Sequence, residues 1–353
     1  HCQYNYGSAL QAWALQTKLE QLGYPCKFLN YYYTHDMRSY DIRWYSRRLP
    51  VIAYDLLVCP AMLRKKRAFR TFHANFLHMT PRTTDWTELA ELGKDCDALI
   101  CGSDQIWNYD LTEGLHPGYF LDFARAGQRR IAYAPSMNQA SIPDRIAEQL
   151  RKKLQTFHAV SVREQDTAAQ LTRLLDRKVP SVLDPTLLLE AQDYLPLLQD
   201  CTLKLPKHYV FVYCLHQNHL KQLRESAERY AAANHARIVY CSKLDLFHPD
   251  YACNIFRRGP EAFVYAIAHA DHVLADSFHA AAFSVIFRKD FSLLAPGGCS
   301  SRMDSLFSSL GIPDRFIRES GSYLPPVDYT SADVLLKTKR EESLTYLISA
   351  LEE

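Results

Sequence analysis

The sequence has no C-x-x-C pair, and its ten cysteines are scattered, Cys96 and Cys101 being the closest two. No histidine–cysteine cluster has zinc spacing, so no metal site is expected. Cys101, Cys214 and Cys241 fall in apolar runs and read as reduced core residues. There is no G-x-G-x-x-G, no G-x-x-x-x-G-K-[ST] and no G-x-S-x-G. Nicotinamide or flavin binding, P-loop phosphate binding and a nucleophile elbow therefore lack their usual cues, and no cofactor is expected. With 41 Lys+Arg against 39 Asp+Glu the formal net charge is only +2, which gives no support to a nucleic-acid partner. No apolar stretch reaches transmembrane length, and no secretory signal is visible. The expected compartment is the cytoplasm, with peripheral contact at the inner face of a membrane left open.

What is present is ordinary for a globular chain: 48% hydrophobic and 23% charged residues, in a length of 353 that suggests two domains. Apolar periodicity predicts a helix over Ser8–Leu22, ended by Gly23, and then a strand at Cys26–Leu29. This is the α–β part of a βαβ unit whose first strand would precede His1. Residues 31–95 change texture and read as a helical insertion, with a helix over Tyr54–Leu77 and a short one over Thr87–Gly93. Within it, Arg64, Lys65, Lys66, Arg67 and Arg70 read as a solvated basic face. The βα rhythm returns with strands at Asp97–Cys101, Ile131–Ala134, Ala159–Val162 and Val179–Leu183. It breaks near Asp200–Pro206. A second set then follows, with strands at Tyr209–Cys214, Ile238–Cys241, His272–Ala275 and Phe291–Leu294. A last helix near Lys339–Leu351 is expected to pack back on one of the two sets.

Strands alternating with helices imply parallel sheets covered on both faces. The predicted fold is α/β, with two doubly wound Rossmann-like domains facing a cleft. Residues 1–202 form the first domain, 203–315 the second, and 316–353 a tail and helix. Ligands in such folds sit outside the carboxyl ends of the strands. The polar groups there are Asn5, Ser103, Asp104, Asn108, Ser136, Arg163, Asp184, Asp276, Ser277 and His279.

Among these, Asp276-Ser277-Phe278-His279 links a buried strand to a helix. Ser277 stands where an N-cap belongs, its hydroxyl placed to accept from a first-turn N–H. A helix start offers unpaired N–H groups and positive potential to a phosphate or carboxylate, with His279 in the first turn. Arg163 ends an apolar strand. Its planar fork suits an anion, or an ion pair with Glu164 or Asp166. Asp104 reads either as a base or as a turn-former after Gly102. Trp107 reads either as a sugar-stacking platform or as core. Asp184-Pro185 reads as a structural turn in which Asp184 caps the next segment. Gly7, in the Asn5-Tyr6-Gly7 loop, would let the backbone approach a ligand closely.

The motifs Asn5-Tyr6-Gly7-Ser8, Gly102-Ser103-Asp104-Gln105-Ile106-Trp107-Asn108, Ser161-Val162-Arg163-Glu164, Asp184-Pro185-Thr186 and Asp276-Ser277-Phe278-His279 together resemble the polysaccharide pyruvyl transferase family. The resemblance implies a GT-B-like fold. It also implies transfer of a pyruvyl group, as a ketal, from phosphoenolpyruvate to hydroxyls of a sugar in a cell-surface polysaccharide or its precursor, with release of phosphate. By motif, Arg163, Ser277 and His279 would hold the donor, and His279 and Asp104 would act in catalysis. Asn5, Tyr6, Gly7, Gly102, Ser103, Gln105, Trp107, Asn108 and Ser136 would line the cleft or the acceptor side. Phosphoenolpyruvate and a sugar acceptor are then the expected partners, while nothing in the sequence fixes an oligomeric state. Two other readings stay open: a GT-B glycosyltransferase using a nucleotide sugar, and a non-catalytic glycan- or anion-binding protein.

Overall fold

The computed structural model describes residues 4–32, 49–139, 141–243, 253–295 and 301–352. Residues 33–48 of the predicted insertion, and His1–Gln3 of the predicted opening loop, lie outside the described residues. Helix α1 spans Tyr6–Gln21. Asn5 caps it by accepting from the Ser8 N–H at 3.3 Å. The insertion is built on α2, Leu49–Phe76, and α3, Trp86–Leu92, whose N-cap Asp85 accepts from the Glu88 N–H. The first sheet has three parallel strands in the order β1 (Ala98–Cys101), β2 (Arg129–Ala132), β3 (Ala159–Val160). Helices α4 (Asp144–Leu154) and α5 (Gln165–Leu175) follow β2 and β3. Two short helices, α6 (Pro185–Leu188) and α7 (Leu195–Asp200), lead to the second half.

The second sheet has five strands, all parallel. They are β4 (Tyr209–Tyr213), β5 (Arg237–Cys241), β6 (Cys253–Asn254), β7 (His272–Ala275) and β8 (Asp290–Leu293), in the order β6-β5-β4-β7-β8. Every residue of β4 and β7 is buried, as expected of central strands covered on both faces. Helices α8 (Leu220–Asn234), α9 (Pro260–Ala268), α10 (Phe278–Ile286) and α11 (Ser301–Leu310) cover this sheet. The last helix, α12 (Thr330–Glu352), crosses back to the first half. There Ser343 Oγ accepts the Leu183 N–H at 3.0 Å, and the Tyr346 hydroxyl donates to the Ala132 carbonyl at 2.9 Å. Arg340 donates to the carbonyls of Leu187 and Leu189. Among the described residues no helix is long and apolar enough to cross a membrane.

Two expected strands are reduced to isolated bridges. Val179–Leu183 meets the first sheet only at Val162↔Ser181, because Pro180 has no N–H to extend the ladder. Cys26–Leu29 pairs only at Phe28↔Met79, on the half-exposed rim of the insertion. The halves share one apolar core, in which Leu10 and Trp13 of α1 and Leu187 of α6 join Phe211, Phe263 and Phe283. Helix α1 is the wedge between them. Its Tyr6 ring stacks on Phe263 at 5.0 Å, and the buried hydroxyl donates to the Phe256 carbonyl at 2.9 Å. Tyr6 is thus a pin between the two halves.

Candidate functional site

The carboxyl ends of the two sheets meet at Asp184. This residue was expected among the strand-end polar groups and as the cap of a turn, and it does cap: Oδ1 accepts from the Thr186 N–H at 3.0 Å and hydroxyl at 2.7 Å. Its other oxygen does more. Oδ2 accepts from the Ser103 hydroxyl at 2.7 Å and from Arg163 Nη1 at 2.7 Å, with side-chain exposures of 3% and 0% for the arginine and the aspartate. His279 Nε2 stands 3.7 Å from the same oxygen, a charge contact too long for a hydrogen bond. Burial alone would push the Asp184 carboxyl up. The His279 ring, the Arg163 guanidinium and the Thr186 hydroxyl outweigh it and hold the carboxyl well below the usual range.

Arg163 uses only part of its fork. Its guanidinium lies over the Phe278 ring at 4.3 Å, and Nη1 is spent on Asp184 and, at 3.5 Å, on Ser103. Nε and Nη2 are buried without a partner, as is His279 Nε2. Buried N–H donors left unpaired are costly, so their survival beside one another points to a ligand that completes them. Arg163, Asp184 and Phe278 also line a cavity of about 100 Å³, which Ser305, Ser309 and Lys339 close from the other side. A larger cavity of about 290 Å³ lies elsewhere, between α2 and residues 257–261. It contains none of the motif residues, and Arg64, Arg67 and Arg258 on its wall are exposed.

The position of His279 is fixed from the opposite half. A Cβ on Gly7 would lie 2.0 Å from His279 Nδ1, so the ring can rest on α1 only because residue 7 is glycine. The close approach expected at Gly7 is therefore to a side chain of the protein itself. Ser277 is the residue before α10, with extended backbone (φ −130°, ψ 133°), but its hydroxyl makes no capping bond. The expected cap position holds and the expected cap bond does not. The first-turn N–H groups of α10 are left without that side-chain partner.

The other predicted residues fall into structural roles. Asp104 has φ +76°, and its Oδ1 accepts the N–H of the next residue, Gln105, at 2.9 Å. Gln105 and Asn108 bond to each other at 2.8 Å, and Asn108 further accepts from the Asp110 N–H. A Cβ added at Gly102 would meet Leu15 and Gln11 of α1 only at ordinary contact distance. Trp107 is core: it stacks on Phe120 at 5.2 Å, and its ring N–H donates to the Tyr119 carbonyl. Ser136 is fully buried, with its hydroxyl on Glu164.

The basic run on α2 is not wholly solvated. Lys65 is buried with its ammonium over the rings of Tyr6 (4.4 Å) and Phe256 (4.3 Å), where burial pushes it down to about 8. Sequence reasoning missed Lys65, and it left Asp184 as a turn. The available signal for Asp184 was its place after an apolar run that ends beside Arg163.

Comparison with known proteins agrees with this architecture. A protein assigned as a UDP-N-acetylglucosamine 2-epimerase from Listeria monocytogenes superposes with a TM-score of 0.55 at 8% identity, covering 99% of this chain and 95% of that one. The UDP-GlcNAc 2-epimerase of Methanocaldococcus jannaschii, in complex with UDP-GlcNAc and UDP, gives 0.48 at 10% identity, with 96% of each chain covered. The chain has the GT-B-type α/β fold with parallel sheets. No curated protein matches it. The family model for polysaccharide pyruvyl transferase matches residues 5–297, a span that runs from the α1 cap past the His279 turn, and the chain belongs to that family.

Proposed function

We propose that this chain transfers a pyruvyl group from phosphoenolpyruvate to two hydroxyls of a sugar in a polysaccharide or its precursor. The observation that carries the reading is the group of unpartnered donors, Arg163 Nε and Nη2 with His279 Nε2, gathered around Asp184 at the uncapped start of α10. A compact anion would accept from the two Arg163 N–H groups and, in its Nε2–H form, from His279. The 100 Å³ beside Arg163, whose walls include Asp184 and Phe278 but not His279, is on the scale of a compact acid, whereas nucleotide-sugar sites run to several hundred Å³.

In this scheme the Arg163 fork and the α10 N–H groups hold the phosphate and carboxylate of the donor. His279 delivers a proton to the methylene carbon or ligates the phosphate. Protonation makes the adjacent carbon electrophilic, and one sugar hydroxyl adds to it and gives up its proton. Phosphate then leaves with the C–O electron pair. The second hydroxyl closes on the same carbon, releasing its proton and completing the ketal. Asp184 keeps a negative charge 3.7 Å from the His279 ring. The scheme uses no cofactor. We assign Asp104 turn geometry, one of its carboxylate oxygens accepting the Gln105 N–H.

The test is phosphate release from phosphoenolpyruvate across a panel of glycans and of lipid- or nucleotide-linked sugars. At least one acceptor should support turnover, and His279→Ala should lower it by about 100-fold or more, the scale of general acid–base catalysis. Undiminished turnover in that variant removes His279 from the mechanism. Consumption of a nucleotide sugar without phosphate release from phosphoenolpyruvate overturns the donor assignment.

A further inference from the structure

A second cluster lies at the neighbouring strand ends and takes no part in the scheme above. β4 and β7 pair in parallel, with Tyr213 opposite Ala275, so the loops that leave them run side by side. This brings His216 and His219, after β4, to Asp276, after β7. Donor atoms of the three residues lie within 4.8 Å of one another. Both imidazoles turn Nδ1 to the same carboxylate oxygen, Oδ2, at 3.0 Å each. That carboxylate is fixed in orientation by backbone, with Oδ1 accepting the Leu215 N–H at 2.8 Å and Oδ2 the His216 N–H at 2.9 Å.

Two features go beyond what a hydrogen-bonded loop lock requires, and the spacing, itself that of an ordinary hydrogen bond, is compatible with an ion. Two rings converge on one oxygen, where one ring would serve. The spacing of 3.0 Å is close to the roughly 3.3 Å that separates ligands around an ion with bonds of about 2.0 Å in tetrahedral geometry. Asp276 and His219 are buried, whereas the His216 side chain is 47% exposed, which leaves an entry side and an open coordination position. Backbone N–H groups on the carboxylate are the outer support that ligating carboxylates carry.

We propose that His216 Nδ1, His219 Nδ1 and Asp276 Oδ2 bind a divalent cation of the Zn²⁺ or Co²⁺ type, with the fourth position open to an oxygen donor. Two imidazoles and one carboxylate select such ions over Mg²⁺ or Ca²⁺, which prefer all-oxygen sites. Each ring takes the Nε2–H tautomer, which frees the Nδ1 lone pair for the ion. The site stands independently of the donor chemistry. Its sequence signal was weak because His216-x-x-His219 meets its third ligand only after 57 further residues.

Tag-free full-length protein, stripped with a chelator and desalted, is titrated with Co²⁺ followed in the visible and with Zn²⁺ in competition with a chromogenic chelator. A single equivalent should bind with micromolar or tighter affinity and give the intense visible bands of a four- or five-coordinate Co²⁺ site. His216→Ala, at a half-exposed position that leaves the fold intact, should weaken binding by at least about 100-fold, the upper end of what loss of an outer support costs. His78→Ala, which removes an exposed histidine paired with Glu20 elsewhere, should leave binding unchanged. A wild-type protein that binds neither ion in the micromolar range, or a His216→Ala protein that binds like wild type, overturns the proposal.

Discussion

Asp184 and Asp276 are both fully buried carboxylates at the strand ends, and neighbours keep both ionised against the pull of burial, yet their surroundings differ in kind. Around Asp276, burial raises the carboxyl, but the His216 and His219 rings and the Leu215 and His216 N–H groups outweigh it and hold the carboxyl low. Every one of those donors points at the carboxylate itself. Around Asp184 the donors are only partly used: Arg163 keeps two nitrogens back, and His279 stops at 3.7 Å. With both rings switched to the Nε2–H tautomer, the first arrangement would instead bring two imidazole lone pairs and a carboxylate to one point, which is what a cation needs. The second holds N–H groups in reserve around a fixed negative charge, and a second anion can use them. On these two proposals, four residues of chain, Asp276 to His279, would contribute to sites of opposite sign.

The contrast can be broken most forcefully at Arg163. Arg163→Ala leaves Asp184 buried without its cation, so it should cost about 3–5 kcal/mol in chemical denaturation and abolish transfer. If the arginine only balanced charge, Arg163→Lys would restore activity along with stability. On the donor reading Lys restores stability alone, because an ammonium cannot supply the fork. Gly7→Ala comes next. The new methyl collides with the His279 ring, so turnover should fall by about 100-fold at a stability cost of about 1–3 kcal/mol. Paired kinetics and melting curves separate the two effects, and an unchanged rate would mean that the ring position is immaterial.

Acid titration of stability sharpens the comparison further. Both carboxyls are held below their unfolded values, so their stabilisation is complete above roughly pH 4 and is lost as pH falls through the lower folded values. His272 differs. Burial, aided by the Arg315 charge, pushes its ring down to about 3, so its contribution is full above the unfolded value of roughly 6.5 and declines below it. Urea unfolding across this range should therefore show an early loss below pH 6.5, which His272→Gln removes, and a later one below pH 4, which it does not. The smallest effect is expected at Asp104. Asp104→Asn should change transfer by less than about threefold, because an amide oxygen can still accept the Gln105 N–H. A loss of the size expected for His279→Ala would reinstate Asp104 as the base.

Much of the fold could be read because apolar runs in the second half are long and pure. Tyr209–Tyr213 and His272–Ala275 are buried at every position, and no helix pattern competes with them. The strand expected at Val179–Leu183 failed because one proline, in an otherwise apolar run, removes the N–H that a ladder needs. The site was half legible. Arg163 and His279 stood out as a charge and an imidazole at strand ends. Asp184 did not, because its capping role explains it fully until the partners of its other oxygen are known. Trp107, open in the sequence between sugar platform and core, packs in the core on Phe120, and Tyr6 of the first motif packs on Phe263. Lys65 sits in a basic run whose other members are largely solvent-facing, and only the fold reveals which member turns inward.

Helix α12 carries one more consequence. It is made after all the elements it joins, yet it closes the first sheet by accepting the Leu183 N–H, donating to Ala132 and clamping Leu187 and Leu189. On the ribosome, the first half cannot make these bonds until residues 330–352 have emerged. A nascent chain stopped before residue 330 would leave α6, and with it the Asp184 turn, waiting for its closing partner.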